Sequence, residues 1–505
     1  MHDTYDVVIV GLGPVGAMLA GLLGGKGRRI LVVERDTQVY PMPRAVHVDH
    51  EVIRLLSLVR ADDAVMKTAN VTVSYDFEAA DGELLMGFRP PDAPAPTGFP
   101  WSVLFHQPTL EVALRENLAR HPNIEVRLGT EFVSYDDSIE GKVSVVLQGK
   151  HAGTVTAAYI VGCDGGRSPV RRQAGIALDD LDFNEPWAVV DTLLPEGWEV
   201  LHEASRQICD PARPVTSIPT GHGRHRWEFM LLPGETADDI LAPDTLSALI
   251  AAQLPPSLTR DDIEIERSAV YTFHGVFART WRKGRVLLAG DAAHQMPPFM
   301  GQGLCSGVRD AANLAWKLDA VLQDTAPEAL LDTVQPEREP QIRFITETAI
   351  GMGRVVCTQD VEAATVRDAD MCATPLAQRT GTTPGLPPQS TGIMAEDARA
   401  GVAGFPFARD VQLDLLSGYA PVLLLAQSPN DQHAAQWQTL VPGLLIASLS
   451  GSEAIKDNNG HIRQQIGKAE AILVRPDRIV FGVGNPARLV GEFADYVSCT
   501  RSQSV

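Results

Sequence analysis

A glycine-rich turn between two apolar segments near the start of the chain constrains the fold more than any other feature. Residues 5–10 are a short apolar run, and residues 11–16 read Gly-Leu-Gly-Pro-Val-Gly before an alanine- and leucine-rich segment. A second apolar run, residues 29–34, ends in Glu34. This order predicts a strand, a tight turn, a helix and a second parallel strand, which together form a dinucleotide-binding unit.

Each residue of this fingerprint has a physical role in holding a pyrophosphate. Gly11 permits the tight turn, and Gly16 lets the helix pack closely on the strand. Gly13 lets the ligand approach the backbone at the helix N-terminus, where the helix dipole favours a phosphate. We expect Glu34 to accept hydrogen bonds from the adenosine ribose. The fingerprint alone does not separate FAD from NAD.

Composition indicates an ordinary globular protein of two or three domains. The chain has 505 residues, of which 45% are hydrophobic and 21% charged. A formal net charge of −20 argues against nucleic acid as a partner. No apolar run is long enough to cross a bilayer, and the acidic N-terminus lacks the basic start of a signal peptide. The six cysteines are scattered without a CxxC pair or zinc-like spacing, so we expect free thiols in the cytoplasm.

Two later motifs indicate which dinucleotide is bound. Residues 159–168 read Tyr-Ile-Val-Gly-Cys-Asp-Gly-Gly-Arg-Ser. Residues 284–294 read Gly-Arg-Val-Leu-Leu-Ala-Gly-Asp-Ala-Ala-His, and Pro-Pro-Phe-Met-Gly-Gln-Gly follows at 297–303. The second motif is a predicted strand that ends in Asp291, which is placed to bond a ligand hydroxyl. The glycines after it expose backbone N–H groups near the start of a helix, and such groups stabilise negative charge on a flat ring system.

These three motifs, in this order over about the first 350 residues, resemble the group A flavoprotein aromatic hydroxylases. The resemblance implies FAD as cofactor, NADH or NADPH as co-substrate and O₂ as oxidant. It implies hydroxylation of a phenol ortho to its hydroxyl group through a flavin C4a-hydroperoxide. The fold it implies is α/β, with a Rossmann-like FAD-binding domain, an inserted β-sheet substrate domain as in the para-hydroxybenzoate hydroxylase fold, and a thioredoxin-like C-terminal domain.

Within this group the chain is most similar to the 3-(3-hydroxyphenyl)propanoate hydroxylases, on residues 44–51, 209–214, 229–236 and 474–478. We therefore expect that compound or a related phenol as the substrate. The alternatives are a larger or heterocyclic aromatic substrate and, in a different class, a non-catalytic FAD-binding sensor or scaffold. The thioredoxin-like domain lacks a CxxC pair, so we expect a structural or oligomerisation role for it, and a homodimer is one assembly that would suit it.

The resemblance also assigns candidate site residues. Arg44, Pro298 and Gly301 are expected to position the flavin, and the base that deprotonates the phenol is left unassigned. Asp164 and Arg167 belong to a motif that the family uses for both FAD and the nicotinamide. The full set of cofactor-binding candidates is Gly11, Gly13, Pro14, Val15, Gly16, Glu34, Arg35, Arg44, Gln107, Asp164, Asp291, Pro298, Gly301, Gln302, Gly303 and Leu304.

Substrate contacts are harder to assign because they do not form a fixed motif. Met296, Phe299 and Met300 either line the substrate pocket or fill the core. An arginine of the middle domain is expected to hold a substrate carboxylate, with Arg213 and Arg226 as candidates.

Several other residues have competing interpretations. His47, His50 and Glu51 have a spacing that would suit metal ligands on one helix face, but we expect no metal because the chemistry needs none. His294 is predicted to make a structural hydrogen bond to nearby backbone. Cys163 and Cys305 are predicted to be small packing residues.

Domain boundaries follow from composition and pattern. We expect the FAD-binding domain to consist of residues 1–180 and 278–370, with the substrate sheet at 181–277. In that sheet Trp227, Phe229 and Leu231 should share one face by alternation. A linker is predicted at 371–392 and the thioredoxin-like domain at 393–505.

Overall fold

The computed structural model of the chain describes residues 4–40, 44–383, 385–396, 403–451 and 454–499. Residue 384 of the predicted linker and residues 397–402, 452–453 and 500–505 of the predicted C-terminal domain lie outside the described residues. The described part contains four β-sheets with helices packed between and around them. None of its helices is long and apolar enough to cross a membrane.

The strands, in chain order, are β1 (Thr4–Val10), β2 (Ile30–Glu34), β3 (His47–Asp49), β4 (Asn70–Val71), β5 (Tyr75–Glu78), β6 (Leu84–Arg89), β7 (Ser102–Leu104), β8 (Ile124–Leu128), β9 (Thr130–Asp136), β10 (Val143–Gly149), β11 (Gly153–Gly162), β12 (Leu178–Leu193), β13 (Ser205–Ile208), β14 (Val215–Pro219), β15 (Arg224–Met230), β16 (Glu264–Ala278), β17 (Arg282–Lys283), β18 (Val286–Leu288), β19 (His294–Gln295), β20 (Thr380–Thr382), β21 (Val422–Leu425), β22 (Leu445–Ser448), β23 (Ala471–Val474) and β24 (Val480–Gly484).

The α-helices are α1 (Pro14–Gly25), α2 (His50–Ser57), α3 (Asp62–Met66), α4 (Gln107–Leu118), α5 (Pro169–Gln173), α6 (Ala237–Leu241), α7 (Pro243–Ala251), α8 (Gly303–Leu322), α9 (Val334–Val356), α10 (Val361–Ala373), α11 (Leu376–Arg379), α12 (Val411–Ser417), α13 (Asp431–Leu440), α14 (His461–Ile466) and α15 (Pro486–Val497).

The first sheet has the Rossmann-like arrangement that the glycine fingerprint predicts. Its strand order is β17-β18-β11-β1-β2-β8, and the pairs β18–β11, β11–β1, β1–β2 and β2–β8 are all parallel. The central strands are buried on both faces, which explains their nearly continuous apolar sequences. Because the strands are parallel, their carboxyl ends meet at one edge, where ligands bind in open α/β sheets.

The second sheet is larger than the middle segment of the sequence suggested. Its order is β19-β16-β12-β15-β14-β13-β5-β6-β20. The segment 75–89 supplies β5 and β6, although it precedes the range assigned to this sheet from sequence. The segment assigned as a linker supplies α11 and β20, and β20 pairs with β6. These additions come from pairings between distant parts of the chain, which local pattern does not reveal.

One face of this second sheet is covered by its own helices. As the alternation predicted, Trp227, Phe229 and Leu231 lie together in one apolar cluster, and this cluster includes Ile240 of α6 and Ile250 of α7. The side chains at alternate positions of β15 therefore point the other way, towards the first sheet. The space between the two sheets is the cavity that holds the candidate site.

The C-terminal sheet has the order β22-β21-β23-β24, with β21–β22 parallel and the other two pairs antiparallel. Helix α13 connects the parallel pair and α15 follows the antiparallel pair, which is the thioredoxin-like arrangement. All six cysteines of the protein are free. This domain is joined to the FAD-binding region by buried ion pairs, among them Arg475 with Glu337 at 2.8 Å and Arg54 with Asp414 at 2.8 Å.

Candidate active site

A large cavity lies between the carboxyl edge of the first sheet and the open face of the second. Its volume is about 2250 Å³. A pocket for one drug-sized ligand occupies roughly 300–1,000 Å³. The cavity therefore has room for a dinucleotide cofactor together with a small substrate. All the cofactor candidates except Gly16 line it.

The glycine fingerprint forms one end of this cavity. A Cβ atom on Gly11, whose φ is +101°, would lie 2.4 Å from the carbonyl oxygen of Cys163. A Cβ atom on Gly16 would lie 2.1 Å from the carbonyl oxygen of Gly11, so protein packing requires both glycines. At Gly13 the same test meets no described atom within 4 Å. Packing therefore does not require a glycine at this position, which leaves bare backbone facing the cavity at the start of α1.

Glu34 ends β2 beside this turn and is held by backbone groups. Its Oε2 accepts a hydrogen bond from the Leu12 N–H at 2.8 Å, and its Oε1 accepts one from the Asp36 N–H at 3.0 Å. The carboxylate is thus fixed at the cavity wall, where we expect the ribose. Arg35, next along the chain, lines the same wall and is exposed, 3.9 Å from Asp36.

Gln107 and Arg44 are linked in the cavity wall. The Gln107 Oε1 accepts hydrogen bonds from the backbone N–H groups of Arg44 and Ala45, at 3.0 and 2.7 Å. Its Nε2 donates to Glu111 Oε1 at 2.7 Å. The Arg44 guanidinium lies 5.3 Å from the centre of the Tyr40 ring and faces the cavity. Gln107 therefore holds the backbone that presents Arg44.

Two aspartates at the strand ends face the cavity with unused hydrogen-bonding capacity. Asp164 Oδ2 accepts from the Val170 N–H at 3.0 Å, but its buried Oδ1 has no hydrogen-bond partner among the described residues. The Asp291 carboxyl forms no hydrogen bond with the described part of the chain. The exposed surface of Asp291 faces the cavity. Burial of the carboxyl group within the protein raises the pKa of Asp291, whereas the nearby His294 and Arg44 lower this pKa.

The turn over Pro298–Met300 leads through Gly301 into α8. Gly301 has a φ of +62°, and a Cβ atom there would lie 2.9 Å from the Cβ of His47. His47 holds this turn, with Nδ1 3.0 Å from the Gly301 carbonyl oxygen and Nε2 2.6 Å from Ser102 Oγ. Helix α8 begins at Gly303, so its unpaired first-turn N–H groups face the cavity together with Gln302 and Leu304.

His47, His50 and Glu51, whose spacing would suit metal ligands, belong to different hydrogen-bond networks. Glu51 accepts a hydrogen bond from Arg309 Nε at 2.8 Å, and Arg309 Nη2 donates to Asp49 at 2.6 Å. His50 contacts Thr97 through Nδ1 at 3.1 Å. Among the described residues no group of three or more His, Cys, Asp or Glu side chains is arranged to hold a metal ion. Arg309 thereby ties α8 to β3 and α2 behind the Gly301 turn.

The structure corrects the prediction that His294 forms a hydrogen bond with nearby backbone. His294 Nε2 lies 2.6 Å from Asp310 Oδ2, so its partner is a buried carboxylate. Asp310 also accepts from the Gly290 N–H at 3.2 Å and from Arg338 Nε at 3.0 Å. These contacts fix the turn that carries Asp291. Cys163 and Cys305 pack as predicted, and burial raises the pKa of both thiols.

Of the five substrate candidates, the structure brings four to the cavity. Met296, Phe299 and Met300 line it, although Phe299 is only 1% exposed and its ring packs in the core against Trp187 and Phe273. Arg213 lies outside the cavity lining, where it binds Glu235 with Nη2–Oε1 at 2.6 Å. Arg213 lies in the connection between β13 and β14, away from the cavity. The sequence did not reveal this position.

Arg226 does line the cavity, but it is already engaged. Its Nε donates to Asp191 Oδ1 at 2.7 Å, its Nη2 to Asp191 Oδ2 at 3.0 Å, and its Nη1 to the Arg44 carbonyl oxygen at 2.8 Å. Four further cavity-lining residues were not predicted from the sequence: Glu228, two positions along the same strand, and Tyr75, Gln207 and Thr216. Alternation along β15 was the signal that could have found Glu228.

These features fit FAD. An isolated cavity-facing Asp291, an unpaired Asp164 oxygen, bare backbone at Gly13 and the N-terminus of α8 are separate binding elements around one large cavity. A dinucleotide with a pyrophosphate, hydroxyl groups and an electron-accepting ring could use all of them.

Comparison with known proteins decides the family. A model of the family described as FAD binding domain matches residues 4–349. The chain belongs to the FAD-dependent aromatic hydroxylases. It is 36% identical to the probable NADH-specific resorcinol 4-hydroxylase of Rhodococcus jostii (strain RHA1), over 96% of this chain and 93% of that protein.

Two further proteins are similar to this chain. A 3-(3-hydroxy-phenyl)propionate/3-hydroxycinnamic acid hydroxylase of Mycobacterium sp. (strain JLS) is 40% identical, over 72% of this chain and 62% of that protein. The crystal structure of aklavinone-11 hydroxylase with FAD and aklavinone is 24% identical, covers 98% of this chain and 99% of that chain, and superimposes with a TM-score of 0.75. This structural match supports the fold over nearly the whole length, including the C-terminal region.

Proposed function

We propose that this hydroxylase acts on a small uncharged phenol, with resorcinol as the representative compound. It adds oxygen to a ring carbon ortho to one hydroxyl group, using NADH and O₂. The observation that carries this proposal is a balance of charge in one part of the cavity wall. We call the part formed by Arg226, Arg267, Asp191 and Glu228 the substrate wall. Arg226 and Arg267 stand on that wall with Asp191 between them, and Glu228 lies beside them.

Charge balance disfavours an anionic substrate. Two buried cations and two carboxyl groups leave the wall without surplus positive charge when both acids are ionised. Arg226 is already held by two short bonds to Asp191. A substrate carboxylate would have to displace Asp191 or be buried next to it, and burying an uncompensated charge is costly. A phenol with no other charge meets no such penalty.

The relatives support the same choice. The relative named as a probable NADH-specific resorcinol 4-hydroxylase matches along nearly its whole length. Hydroxylation of resorcinol at carbon 4 places the new oxygen ortho to one hydroxyl group and para to the other. NADH as the reductant follows from the same likeness.

3-(3-Hydroxyphenyl)propanoate remains the second candidate. It is favoured by the higher identity, 40% over 364 residues, to a hydroxylase named for that compound. This match covers 62% of the relative's length. Resorcinol carries a second hydroxyl group where this compound carries a propanoate chain, so a wall without surplus positive charge should favour resorcinol.

The candidate residues have distinct proposed roles around bound FAD, which supplies the redox and oxygen-activating chemistry. Asp291 would accept a hydrogen bond from a cofactor hydroxyl, and Gly13 would admit the pyrophosphate. The N-terminus of α8 at Gly303 would stabilise negative charge on the ring. Met296 and Met300 are partly buried apolar side chains that would keep water from the reacting ring.

The test is NADH oxidation by the purified FAD-loaded enzyme with resorcinol or with 3-(3-hydroxyphenyl)propanoate. We expect strong stimulation by resorcinol, a product one oxygen atom heavier by mass spectrometry, and oxygen consumption in step with product. A higher kcat/KM for the propanoate would overturn the substrate proposal and leave the hydroxylase class intact. Replacing NADH with NADPH should lower the rate.

A further inference from the structure

Glu228 stands in the substrate wall with Arg226 as an ionic partner but without a hydrogen bond to the described residues. It lies on β15, where Trp227 and Phe229 point into the apolar cluster behind the sheet, so Glu228 points into the cavity. The residue is 4% exposed. Its Oε1 lies 3.7 Å from Arg226 Nη1, and the carboxyl forms no hydrogen bond with the described residues. A buried acid in this position still has hydrogen-bonding capacity for a ligand.

A polar row runs from Glu228 to the turn that is expected to lie against the flavin. Glu228 is opposite Thr216 on β14, and Thr216 is opposite Gln207 on β13. Thr216 Oγ1 donates to Gln207 Oε1 at 2.8 Å, and Gln207 Nε2 donates to Tyr75 Oη at 2.9 Å. Tyr75 Oη in turn donates to the carbonyl oxygen of Phe299 at 2.8 Å. The row thus connects the Glu228 side of the wall to the Pro298–Met300 turn.

We propose that Glu228 is the catalytic base that takes the proton from the substrate's phenolic hydroxyl group. This inference rests on the function proposed above. It is carried by the cavity-facing position of Glu228, the absence of a hydrogen bond from its carboxyl group to any described residue, and its row of polar neighbours. Its carboxylate is an acceptor at the wall of a cavity that has room for a phenol beside the cofactor.

The proton and electron balance of the step is complete. The phenolic O–H bond breaks, the proton moves to Glu228, and the electron pair stays on the oxygen and activates the ortho carbon. The ring's electron pair forms the new C–O bond as the O–O bond of two-electron-reduced dioxygen breaks, and the second oxygen atom takes up protons and leaves as water. The two electrons come from NADH through bound FAD. The substrate oxygen is then a ketone. Glu228 returns its proton to it as the ring hydrogen leaves to water, which restores the carboxylate and the aromatic ring.

Other titratable groups near the turn are less suited to this role. Burial raises the pKa of Tyr75, so this residue stays protonated. Both ring nitrogens of His47 already have partners, in Gly301 and Ser102. Burial also lowers the pKa of His47, which makes it a weaker base.

The electrostatic surroundings of Glu228 suit a base at neutral pH. The groups around it are Arg226 on its own strand, Asp191 on β12, Arg267 on β16, Tyr75 on β5 and Arg44 on the loop beside Arg226. The turn across the cavity, Pro298–Met300, carries no titratable side chain. Burial, opposed by Arg226 and assisted by Asp191, raises the pKa of Glu228 to about 7. General bases are most effective when their pKa lies near the operating pH.

The experiment uses the FAD-loaded enzyme, resorcinol and the variant Glu228→Gln, which keeps the shape of the side chain and removes the base. We expect FAD content and resorcinol binding to change little. Product formation should fall by about 10²–10⁴-fold, the usual contribution of a positioned base. NADH oxidation should then yield hydrogen peroxide instead of product. Activity of the variant should rise as the pH approaches about 10, where a phenol ionises without help.

Glu185→Gln is the matched control. Glu185 lies in the same sheet, on β12, is half-buried and does not line the cavity. Its replacement should leave kcat, KM and coupling unchanged. A Glu228→Gln enzyme that hydroxylates at the wild-type rate would overturn the inference.

A second measurement does not depend on how the variant folds. The kcat/KM of the wild-type enzyme should fall tenfold per pH unit below about pH 7, because Glu228 becomes protonated. A flat profile from pH 5.5 to 8 would also overturn the role of Glu228. A wild-type enzyme that hydroxylates no phenol would instead mean failure of the proposed function. The two failures are therefore distinguishable.

Discussion

Asp191 and Arg226 form a bidentate ion pair across β12 and β15, and each side chain is 3% exposed. A second guanidinium nitrogen, Arg267 Nη1, lies 3.8 Å from Asp191 Oδ2. Asp191 thus contacts two buried cations, and Glu228, 3.7 Å from Arg226, is the second carboxyl group beside them. This arrangement decides how the substrate wall responds to an added negative charge.

Replacing Asp191 with asparagine should show how strongly the charge of the substrate wall controls the choice of substrate. Breaking a buried pair leaves a charge uncompensated and costs about 3–5 kcal/mol of unfolding free energy. The released guanidinium groups could then bind a substrate carboxylate. We expect the ratio of kcat/KM for 3-(3-hydroxyphenyl)propanoate over resorcinol to rise by about tenfold or more, since a charged hydrogen bond contributes about 1.5–3 kcal/mol. Urea unfolding and steady-state kinetics measure the two effects.

Asp179→Asn is the control for this prediction. Asp179 lies on the same strand and pairs with Arg279 at 2.7 Å, but the two side chains are 47% and 67% exposed. Exposed pairs contribute about 0–1 kcal/mol, so stability and specificity should hardly move. An unchanged substrate ratio in Asp191→Asn would contradict the view that charge balance excludes the propanoate.

Gly13→Ala should weaken FAD binding without harming the fold. The added methyl group would meet no described atom within 4 Å, so it would project into the cavity where the pyrophosphate is expected. We expect the dissociation constant of FAD to rise by about tenfold or more, with the unfolding of the apoprotein little affected. Flavin fluorescence during titration of the apoprotein measures the affinity.

Gly25→Ala provides the comparison, because it lies in the same helix and also has open space around its Cβ position. That variant should keep wild-type FAD affinity. Gly11→Ala should fail in a different way. Its methyl group would overlap the Cys163 backbone, so the folded protein itself should be lost. Equal FAD affinity in Gly13→Ala and Gly25→Ala would argue against the proposed pyrophosphate position.

The parts of the site that the sequence predicted are those in which neighbouring residues act together. Gly11, Gly13 and Glu34 belong to one strand–turn–helix–strand unit, whose periodicity and turn residues are visible within 31 positions of the chain. Asp291 and Gly301 were predictable for the same reason, since a strand end and a helix start flank them.

The substrate wall was not predictable in this way, because it depends on pairing between distant strands. Asp191 meets Arg226 only when β12 pairs with β15, and Gln207 meets Tyr75 only when β13 pairs with β5. Arg213 and Arg226 look equivalent in the sequence, but Arg213 lies outside the cavity lining and pairs with Glu235. Local pattern gives the face of a strand but not its neighbours.

Glu337→Gln should loosen the attachment of the C-terminal domain. Glu337 on α9 is fully buried and contacts Lys317 and Arg475 at 2.8 Å each. Removal of its charge leaves buried Lys317 without this carboxylate and buried Arg475 with Asp477 alone, which costs about 3–5 kcal/mol. Glu339→Gln on the same helix should cost less than about 1 kcal/mol, because its pair with Arg343 is partly exposed. Urea unfolding of both FAD-loaded variants tests this, and equal midpoints would contradict a fastening role for Glu337.

The stability of the protein should also depend on pH through Glu228. Burial raises the pKa of Glu228 from 4.5 to about 7, so the folded state binds this proton more tightly than the unfolded state. The resulting stabilisation is fully present below pH 4.5 and is lost as the pH rises through 7. Glu228→Gln has no such proton. Its unfolding free energy relative to wild type should therefore increase by about 2–3 kcal/mol between pH 5 and pH 8, at 1.36 kcal/mol per pKa unit.

Urea unfolding at both pH values, with FAD in excess, measures this difference. Taking the difference between variant and wild type removes the pH dependence of the other groups. Glu347→Gln, an exposed change on α9, should track the wild type at both pH values. A constant difference between Glu228→Gln and wild type would mean that Glu228 titrates near its ordinary pKa. In that case kcat/KM should begin to fall only well below pH 7, since the same proton governs both the stability and the activity measurements.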